Sequence, residues 1–511
     1  MAKITRRTVI AAGASAGLAL SAPHWVRSSA AATRTRYSAT SAKGKAMLKL
    51  YAQAVDTMMN KIPKGDPRNW DFQWYTHWIP GPQGPWSAVK AHKTQTINDV
   101  YKGKPANDPH RLLAQQMWDD CQAHGDNTDD PTYFQELFFL PWHRYFVYYF
   151  EDIIRGVLQS DTFTLPYWSY LGSGPSAAII PPEFRASKSP LYQAKRYKVV
   201  NDGKPIQTSP GGIPINGDAF KETVYYKVVT VNGQPTEVGF CPILDNGIHG
   251  AVHVDVGSTK NMGHIPTAAN DPVFWLHHCN IDRLWESWNR LPGRLNPKWP
   301  NRNFVFANAL GGAVSAPVAG ADRVALLGYD YDDYYVPPGV STAPVLAARP
   351  FSAATAPTES MAKVTQAIGL GNAPVRAALT PPAPPVGIAP RAAPLLAASA
   401  GRTAYLILSG IMLHADPGEV VYDVYLNLPE GAKATPSDPG YVGTLGFFNI
   451  MVGDGQMGAN HSSASFNVTD VLAKLQRADR LSPQPSVTLL PRGEMAAAAQ
   501  ATVEHIDLVQ S

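Results

Sequence analysis

Histidines within apolar, helix-forming segments constrain this chain more than any other feature of its sequence. Residues 138–151 carry His143 and are apolar nearly all round, which predicts a buried helix beginning near Pro141. A buried imidazole needs a partner, because an unsatisfied polar group in an apolar setting is unfavourable. On this segment alone, a histidine hydrogen-bonded within the core is the favoured interpretation.

A second segment places His249 and His253 four residues apart, on one face of a predicted helix. That spacing lets two imidazoles bind one metal ion. A zinc protease would need a glutamate directly after the first histidine as general base, and Gly250 stands there. The pair therefore indicates a metal site of another kind.

A third segment, residues 270–285, is a predicted apolar helix with Asp271 as its N-cap and with His277 and His278 adjacent. His278 and Asp282 share a helical face, so the carboxylate is expected to brace this helix or neighbouring ligand histidines. His277 projects in another direction and is not expected to bind the same metal. Two adjacent histidines in an apolar helix are hard to explain by packing.

The kind of ligand narrows the choice of metal. An all-imidazole set favours copper and, less distinctively, zinc. A di-iron bundle needs inward-facing glutamates in Glu-x-x-His pairs, and none accompanies these histidines. Magnesium and calcium prefer oxygen ligands, which argues against both.

With these segments in view, the chain resembles a known family. Residues 139–151 and 271–282 are similar to the two signature segments of type-3 copper proteins, the tyrosinases, catechol oxidases and haemocyanins. The resemblance implies a mainly α catalytic domain, a four-helix bundle that holds two copper ions, each bound by three histidines. By this resemblance His249, His253 and His278 bind copper B, and His143 is the third ligand of copper A.

The resemblance also suggests the other two copper A ligands. His124 lies in a segment similar to the family's Cys/His segment, displaced upstream by a polar insertion at residues 126–132. Two residues separate Cys121 from His124, where relatives with a thioether bond often have one, so a thioether and a free thiol both stay open. His77 follows an aromatic run similar to that before the first ligand and is preferred over His92 and His110, which are expected in polar, Lys- or Pro-rich loops.

Three departures from the family pattern near copper B bear on the activity. Ile265 stands where relatives often carry a gating phenylalanine, which predicts a more open entrance. Asp245 stands where many plant-type relatives carry a glutamate that orients a water for monophenol deprotonation, and aspartate is shorter. Gly250 stands where monophenol-active members often have asparagine. The last two departures favour diphenol oxidation over monophenol hydroxylation, and neutral loop variation is the alternative.

The function implied by the resemblance is that of a polyphenol oxidase. It would use O₂ as co-substrate to oxidise small o-diphenols to o-quinones, with monophenol hydroxylation left open. A haemocyanin-like oxygen carrier and an o-aminophenol oxidase are alternatives with the same ligands, and a non-catalytic copper or zinc protein is a further one. The net charge of only +4 over 511 residues, without a basic run, argues against nucleic acid as a partner.

Composition along the chain predicts four parts. Residues 1–32, with Arg6 and Arg7 before a short apolar stretch, resemble a twin-arginine export signal and predict a periplasmic or secreted protein. Residues 33–338 form the catalytic domain, and residues 339–400 a Pro/Ala-rich linker with a short helix at residues 361–370. Residues 401–511 show β-rich runs that predict an antiparallel sandwich or barrel. No later stretch is apolar enough to predict a membrane span.

The C-terminal part carries a resemblance of its own. Residues 421–427 are similar to the strand that opens the C-terminal domain of plant-type polyphenol oxidases, and residues 328–331 to the tyrosine motif that closes their catalytic domain. In such relatives the C-terminal domain covers the active site until it is removed. The resemblance therefore implies a latent enzyme and an activating protease as partner. The sequence carries no signal for an oligomeric state.

Overall fold

The computed structural model describes residues 33–77, 86–122, 135–171, 174–258, 260–340, 358–364, 366–382, 402–448, 450, 463–482 and 484–511. The predicted leader at residues 1–32 and the predicted ligand His124 lie outside these residues, as does the side chain of Cys121. Within the described part, no helix is long and apolar enough to cross a membrane.

Helices dominate the first part of the chain and frame its core. The α-helices are α1 Ala42–Asn60, α2 Trp70–Tyr75, α3 Trp86–Val100, α4 Pro109–Gln122, α5 Gln135–Leu158, α6 Lys198–Asn201, α7 Phe240–Leu244, α8 Gly250–Val256, α9 Ile265–Ala268, α10 Pro272–Asn289 and, near the C-terminus, α11 Thr469–Arg477. Helix α5 packs against α1 and α10. All residues of α10 are buried, including its charged side chains such as Asp282 and Glu286.

Helix α5 begins earlier than the sequence suggested. It starts at Gln135, so Pro141 lies inside the helix and not at its start. Proline has no N–H to offer the carbonyl four residues before it, here that of Leu137. The hydroxyl of Tyr225 donates a hydrogen bond to this carbonyl at 3.3 Å, which supplies the missing donor. The prediction of a helix start at Pro141 was therefore wrong, and a tertiary contact is the reason.

The predicted N-cap of α10 is confirmed. The Asp271 side chain accepts a hydrogen bond from the backbone N–H of Val273 at 2.9 Å, with Pro272 in the first turn. The same carboxylate also pairs with Arg196, which is fully buried, at 2.6 Å. This helix start is therefore held both locally and by a distant segment.

A buried network of charges joins α5 to α10. Arg36 donates to Glu151 of α5 at 2.9 Å and to Asp282 of α10 at 3.1 Å, and Arg144 also donates to Asp282. Burial alone would raise the pKa of Asp282, but the two arginines hold it below its ordinary value. Asp282 thus braces its helix, as one of the two predictions had it. The alternative prediction, that Asp282 braces neighbouring ligand histidines, was wrong, because its carboxylate binds arginines.

The strands fall into a few small sheets and one β-rich C-terminal region. They are β1 Arg34–Arg36, β2 Lys227–Val231, β3 Gln234–Val238, β4 Asn303–Ala307, β5 Ala313–Pro317, β6 Tyr329–Tyr331, β7 Glu359–Lys363, β8 Ile368–Gly369, β9 Val375–Ala378, β10 Ala404–Met412, β11 Val421–Leu426, β12 Tyr441–Leu445, β13 Ala464–Asn467, β14 Ser486–Arg492 and β15 Thr502–Gln510. β1 pairs in parallel with β6, which closes the helical part of the chain on itself.

Two antiparallel sheets make up the C-terminal region. One has the order β13-β10-β15-β7 with β8 also paired to β15, and the other has the order β12-β11-β14-β9. Leu406 and Leu408 of β10 face the apolar core that the two sheets share. Tyr405 and Ile407 on the opposite face belong to the core of the helical part. β10 is therefore buried on both faces, which explains its continuous apolar run.

The predicted linker is wrong for residues 358–382. β7 and β9 pair with β15 and β14, and the helix predicted at residues 361–370 is replaced by β7 and β8. Met361, Ile368 and Leu379 are buried in the C-terminal core, so a few apolar residues in a Pro/Ala-rich context are sufficient to form strands there. The rest of the predicted linker, apart from residues 339–340, lies outside the described residues.

The buried charge network generates a prediction about stability. Asp282→Asn leaves Arg36 and Arg144 buried without their shared carboxylate, and we expect a loss of about 3–5 kcal/mol in the free energy of unfolding. Asp202→Asn removes a carboxylate from the exposed Lys198–Asp202 pair and should cost less than about 1 kcal/mol. Urea unfolding of both variants near neutral pH measures the difference. Equal losses would show that the buried network does not stabilise the fold.

Candidate metal centre

The histidines of the second and third segments converge in one buried cluster. His249 ends a short π-helix, Asp245–His249, that lies between α7 and α8, and His253 follows in α8. His278 comes from α10 on the opposite side. The Nε2 atom of His249 lies 3.0 Å from that of His253 and 3.3 Å from that of His278. The predicted copper B ligands are thus brought together with the same ring nitrogen facing inward.

Hydrogen bonds behind the rings determine which nitrogen faces the cluster with a lone pair. The Nδ1 atom of His253 lies 2.8 Å from the carbonyl oxygen of Met262, and that of His143 lies 2.9 Å from the carbonyl oxygen of Phe139. A carbonyl only accepts, so each Nδ1 carries the proton and each Nε2 presents a lone pair. Lone pairs of adjacent neutral imidazoles repel each other. A metal ion about 2.0–2.1 Å from each nitrogen removes that repulsion.

Burial favours the neutral form of two of these imidazoles, His253 and His278. Desolvation, followed by the neighbouring histidines, holds the pKa of His253 and of His278 well below the ordinary value. Metal ligation requires the neutral ring, so these two histidines are ready to bind without losing a proton. The donors fit copper in this respect, since imidazole is one of its preferred ligands.

A second pair of histidines lies beside the first cluster. His77, just after α2, has its Nε2 atom 3.3 Å from that of His143 in α5. The ring of His143 stacks on that of His278 with centroids 4.4 Å apart, so the two groups are neighbours. His124, the remaining predicted ligand of copper A, lies outside the described residues. The alternatives His92 and His110 lie on helices α3 and α4, so the prediction that they lie in loops was wrong.

His277 departs from its prediction. Its ligating atom lies within 4.8 Å of those of His249, His253 and His278, so it belongs to the same cluster instead of pointing away. Its ring stacks on that of His249, and its Nδ1 atom lies 3.0 Å from the hydroxyl of Tyr170. Adjacent side chains on a helix point in different directions. His249 and His253 nevertheless lie close enough to α10 for both His277 and His278 to belong to the cluster.

Two of the three residues that depart from the family pattern, Asp245 and Gly250, lie beside this cluster. Asp245 is buried, with Oδ1 2.5 Å from Nδ1 of His249. A Cβ atom at Gly250 would lie 3.3 Å from the carbonyl oxygen of Asp245 and 3.8 Å from Cβ of Phe448. Ile265 is half-buried at the start of α9.

One residue of the site was missed by sequence reasoning. Phe448, which follows β12 in the C-terminal region, stacks on His253 with ring centroids 4.1 Å apart and an interplanar angle of 14°. It also meets the ring of His249 edge-on at 5.5 Å. A phenylalanine next to another phenylalanine in a Gly-rich stretch carries no signal for a site. Only the position of the domain brings it there.

Two sequence profiles cover most of the chain. The common central domain of tyrosinase matches residues 67–291. A domain of unknown function, DUF7868, matches residues 357–511. The second match begins just before β7, in agreement with the strands found there.

Curated proteins similar to this chain include bacterial and plant enzymes. It is 28% identical to tyrosinase HcTyr1 of Hahella sp. (strain CCB-MM4) over 501 residues, which covers 90% of this chain and 96% of that protein. It is also 28% identical to a chloroplastic polyphenol oxidase of Malus domestica, over 47% of this chain and 46% of that protein. The match thus spans nearly the whole bacterial protein and about half of the plant one.

Solved structures show the same fold. Latent apple tyrosinase has a TM-score of 0.62 at 20% identity, over 94% of this chain and 98% of that chain. Latent aurone synthase also has a TM-score of 0.62 at 20% identity, over 94% of this chain and 90% of that chain. The likeness extends over both the helical core and the C-terminal β-rich region.

The clustered nitrogens generate a prediction about metal content. We expect the protein to bind two copper ions per chain, and His253→Ala to lose one of them, because removing one of three imidazoles lowers affinity steeply. His505→Ala removes a more exposed histidine of β15 and should retain both ions. Copper per chain after dialysis against a weak chelator measures this. Two retained ions in His253→Ala would contradict the assignment.

Proposed function

Residues 67–291 make this chain a member of the type-3 copper family of tyrosinases and polyphenol oxidases, and we propose that it is a latent o-diphenol oxidase. Phenol oxidation at a dicopper site with O₂ is the chemistry of this family. The preference for diphenols and the latency are our own proposals. The observation that carries the latency is the ring of Phe448 stacked on His253. The preference for diphenols rests on Asp245 and Gly250, the two departures from the family pattern beside His249.

We propose a set of six copper ligands: His249, His253 and His278 for copper B, and His77, His124 and His143 for copper A. The converging Nε2 atoms support five of these, and the sequence resemblance alone supports His124. Two copper ions held there supply the redox chemistry, in which one O₂ takes four electrons from two o-diphenols and ends as two water molecules.

The protein contributes geometry and exclusion of water. Phe139 has its ring 4.6 Å from that of His143 and 4.8 Å from that of His249, so an apolar wall borders both proposed sites. Backbone carbonyls hold the Nδ1 protons of His143 and His253 and thereby keep both rings in one orientation. A phenol ring would stack on His253 where Phe448 lies, with its hydroxyl oxygens directed toward the metals.

Polar contacts support the proposal that the C-terminal domain is docked over the site. Arg492 of β14 donates to the carbonyl of Gly212 at 2.8 Å. The buried carboxylate of Glu222 accepts hydrogen bonds from Tyr405 at 2.8 Å and from Asn467 at 2.6 Å. Because hydrogen bonds are directional, these contacts support a defined orientation of the C-terminal domain as well as its attachment. The position of Phe448 depends on that orientation. The two similar solved structures, apple tyrosinase and aurone synthase, are also of latent forms.

The finer architecture and the chain's destination are part of the same proposal. The packing of α5 against α1 and α10 supports a four-helix bundle, and the apolar core shared by the two C-terminal sheets supports a β-sandwich. The basic start of residues 1–32 supports export by a twin-arginine-type route. Because β7, β8 and β9 belong to the C-terminal domain, we place the activating cleavage before them, within residues 339–357.

The docked ring generates a prediction about latency. Phe448→Ala should raise the rate of catechol oxidation by the uncleaved enzyme about tenfold, because lost ring contacts of about 1.4 kcal/mol favour the open state. Cleavage at a protease site inserted between Ala347 and Ala348, followed by removal of the C-terminal fragment, should raise it further. Phe466→Ala, in the same domain but without a contact to these histidines, is the control.

Oxygen consumption and quinone absorbance with catechol measure this effect. The copper-loaded protein should turn over O₂ only when a phenol is present. If neither release of the domain nor Phe448→Ala raises the rate, the latency proposal is wrong. Reversible O₂ binding without turnover, before and after cleavage, would favour an oxygen carrier.

The preference for diphenols generates a separate prediction at Gly250. Gly250→Asn in the cleaved enzyme should raise the ratio of monophenol to diphenol turnover about fivefold, the effect of one added hydrogen bond of about 1 kcal/mol beside His249. Gly250→Ala, which adds the Cβ atom without the amide, should leave the ratio near that of the parent. Initial rates with tyrosol and catechol measure it. An equal ratio in all three proteins would show that residue 250 does not decide the preference.

A further inference from the structure

A carboxylate lies directly behind one of the proposed copper B ligands. Asp245 is only 2% exposed, and its Oδ1 atom is 2.5 Å from Nδ1 of His249. The Nε2 atom of the same ring faces His253 and His278. The imidazole therefore stands between the carboxylate on one side and the metal cluster on the other.

The local backbone explains this placement. Asp245 and His249 are the first and last residues of the π-helix between α7 and α8. A single π-helical turn inserts a residue into an otherwise α-helical path and occurs frequently at functional sites. His253 lies one turn further along the chain, in regular α-helix. The rings of His249 and His253 therefore meet although one comes from a π-helical turn and the other from an α-helical turn.

The other proposed ligands with a defined partner are supported differently. Nδ1 of His253 and Nδ1 of His143 face the backbone carbonyls of Met262 and Phe139, which are neutral acceptors. Asp245 is an acidic side chain. An anionic acceptor on the remote nitrogen raises the basicity of the ring and strengthens its bond to a metal. His249 would accordingly be the strongest of the donors to copper B.

We propose that Asp245 is a positioning residue, whose carboxylate accepts the Nδ1 proton of His249 and so orients and strengthens this ligand. When a metal binds Nε2, the ring's only proton is on Nδ1. The carboxylate Oδ1 lies 2.5 Å from this nitrogen, and a small turn of the ring or of the carboxylate aligns this close contact as a hydrogen bond. This role differs from orienting a water for monophenol deprotonation, which was the role considered from the sequence. The inference rests on the proposed dicopper function.

Copper retention tests this role without relying on turnover. We expect Asp245→Ala to lower the affinity of one copper ion about 10–100-fold, because the acceptor behind the ligand is removed. Asp245→Asn is nearly isosteric and keeps an acceptor oxygen without the charge, so its affinity should fall between those of Ala and the parent. Asn246→Ala is the matched control, since its side chain bonds to the carbonyl of Pro242 and not to a histidine.

The measurement is copper remaining on each chain during titration with a chelator of known affinity, with the Tm of each metal-free variant as a check on folding. The ratio of monophenol to diphenol turnover is recorded in parallel on the cleaved proteins. Affinity in the order parent, Asn, Ala, with little change in that ratio, supports the positioning role. If Asp245→Ala does not fold, the fall in affinity in Asp245→Asn decides alone.

Other outcomes would overturn the inference. Affinities of all variants within about twofold of the parent, together with a large fall in monophenol turnover alone, would show that Asp245 acts on the substrate side. Failure of the proposed function looks different, since the parent chain itself would then bind no copper pair or oxidise no phenol. The parent measurements therefore separate the two.

Discussion

Two buried arginines between α5 and α10 form the interaction on which the arrangement of this protein depends. Arg144 directly follows His143 in α5, and Asp282 lies one turn after His278 in α10, so the pair Arg144–Asp282 locks together the two helices that carry these ligands. Arg36 ties the same carboxylate to Glu151. Rotation of one helix against the other would break these pairs and leave a buried charge uncompensated, which is strongly unfavourable. The two helices therefore cannot rotate independently. The network therefore defines where the histidines point.

The metal centre follows from that rigid frame. Histidine rings from separate segments meet with their Nε2 atoms 3.0–3.3 Å apart, and burial lowers the pKa of His253 and of His278. A bound metal relieves the repulsion among their lone pairs, so folding brings together a site that is stabilised by its ion. Partners behind the rings determine their orientation, and the aspartate behind His249 makes the proposed copper B ligands unequal. That inequality is the basis of the positioning role proposed for Asp245.

The C-terminal domain is integrated with the helical part through one strand. Alternate residues of β10 enter different cores, Leu406 and Leu408 that of the two sheets, Tyr405 and Ile407 that of the helices. Because of this shared burial, the domain is held in a defined orientation, and Phe448 after β12 reaches His253. Latency, on our proposal, is the consequence of that orientation. Release of the domain then requires breaking apolar as well as polar contacts.

The sequence by itself determined the nature of the site. Residue type, helical spacing and family motifs were enough to single out His143, His249, His253 and His278, whose rings the structure brings together, because histidines on short helical segments leave a local pattern. The N-cap Asp271 was predictable for the same reason.

Only the tertiary structure decided how these segments meet. It placed His277 within the cluster, replaced the predicted linker at residues 358–382 by strands, and brought Phe448 onto His253. It also showed Asp282 bound to arginines and Asp245 in contact with His249. Each of these depends on contacts between residues far apart in the chain or on the exact winding of a helix. Such contacts leave no periodic trace in the sequence, since the partner's position is set by the packing of the whole core.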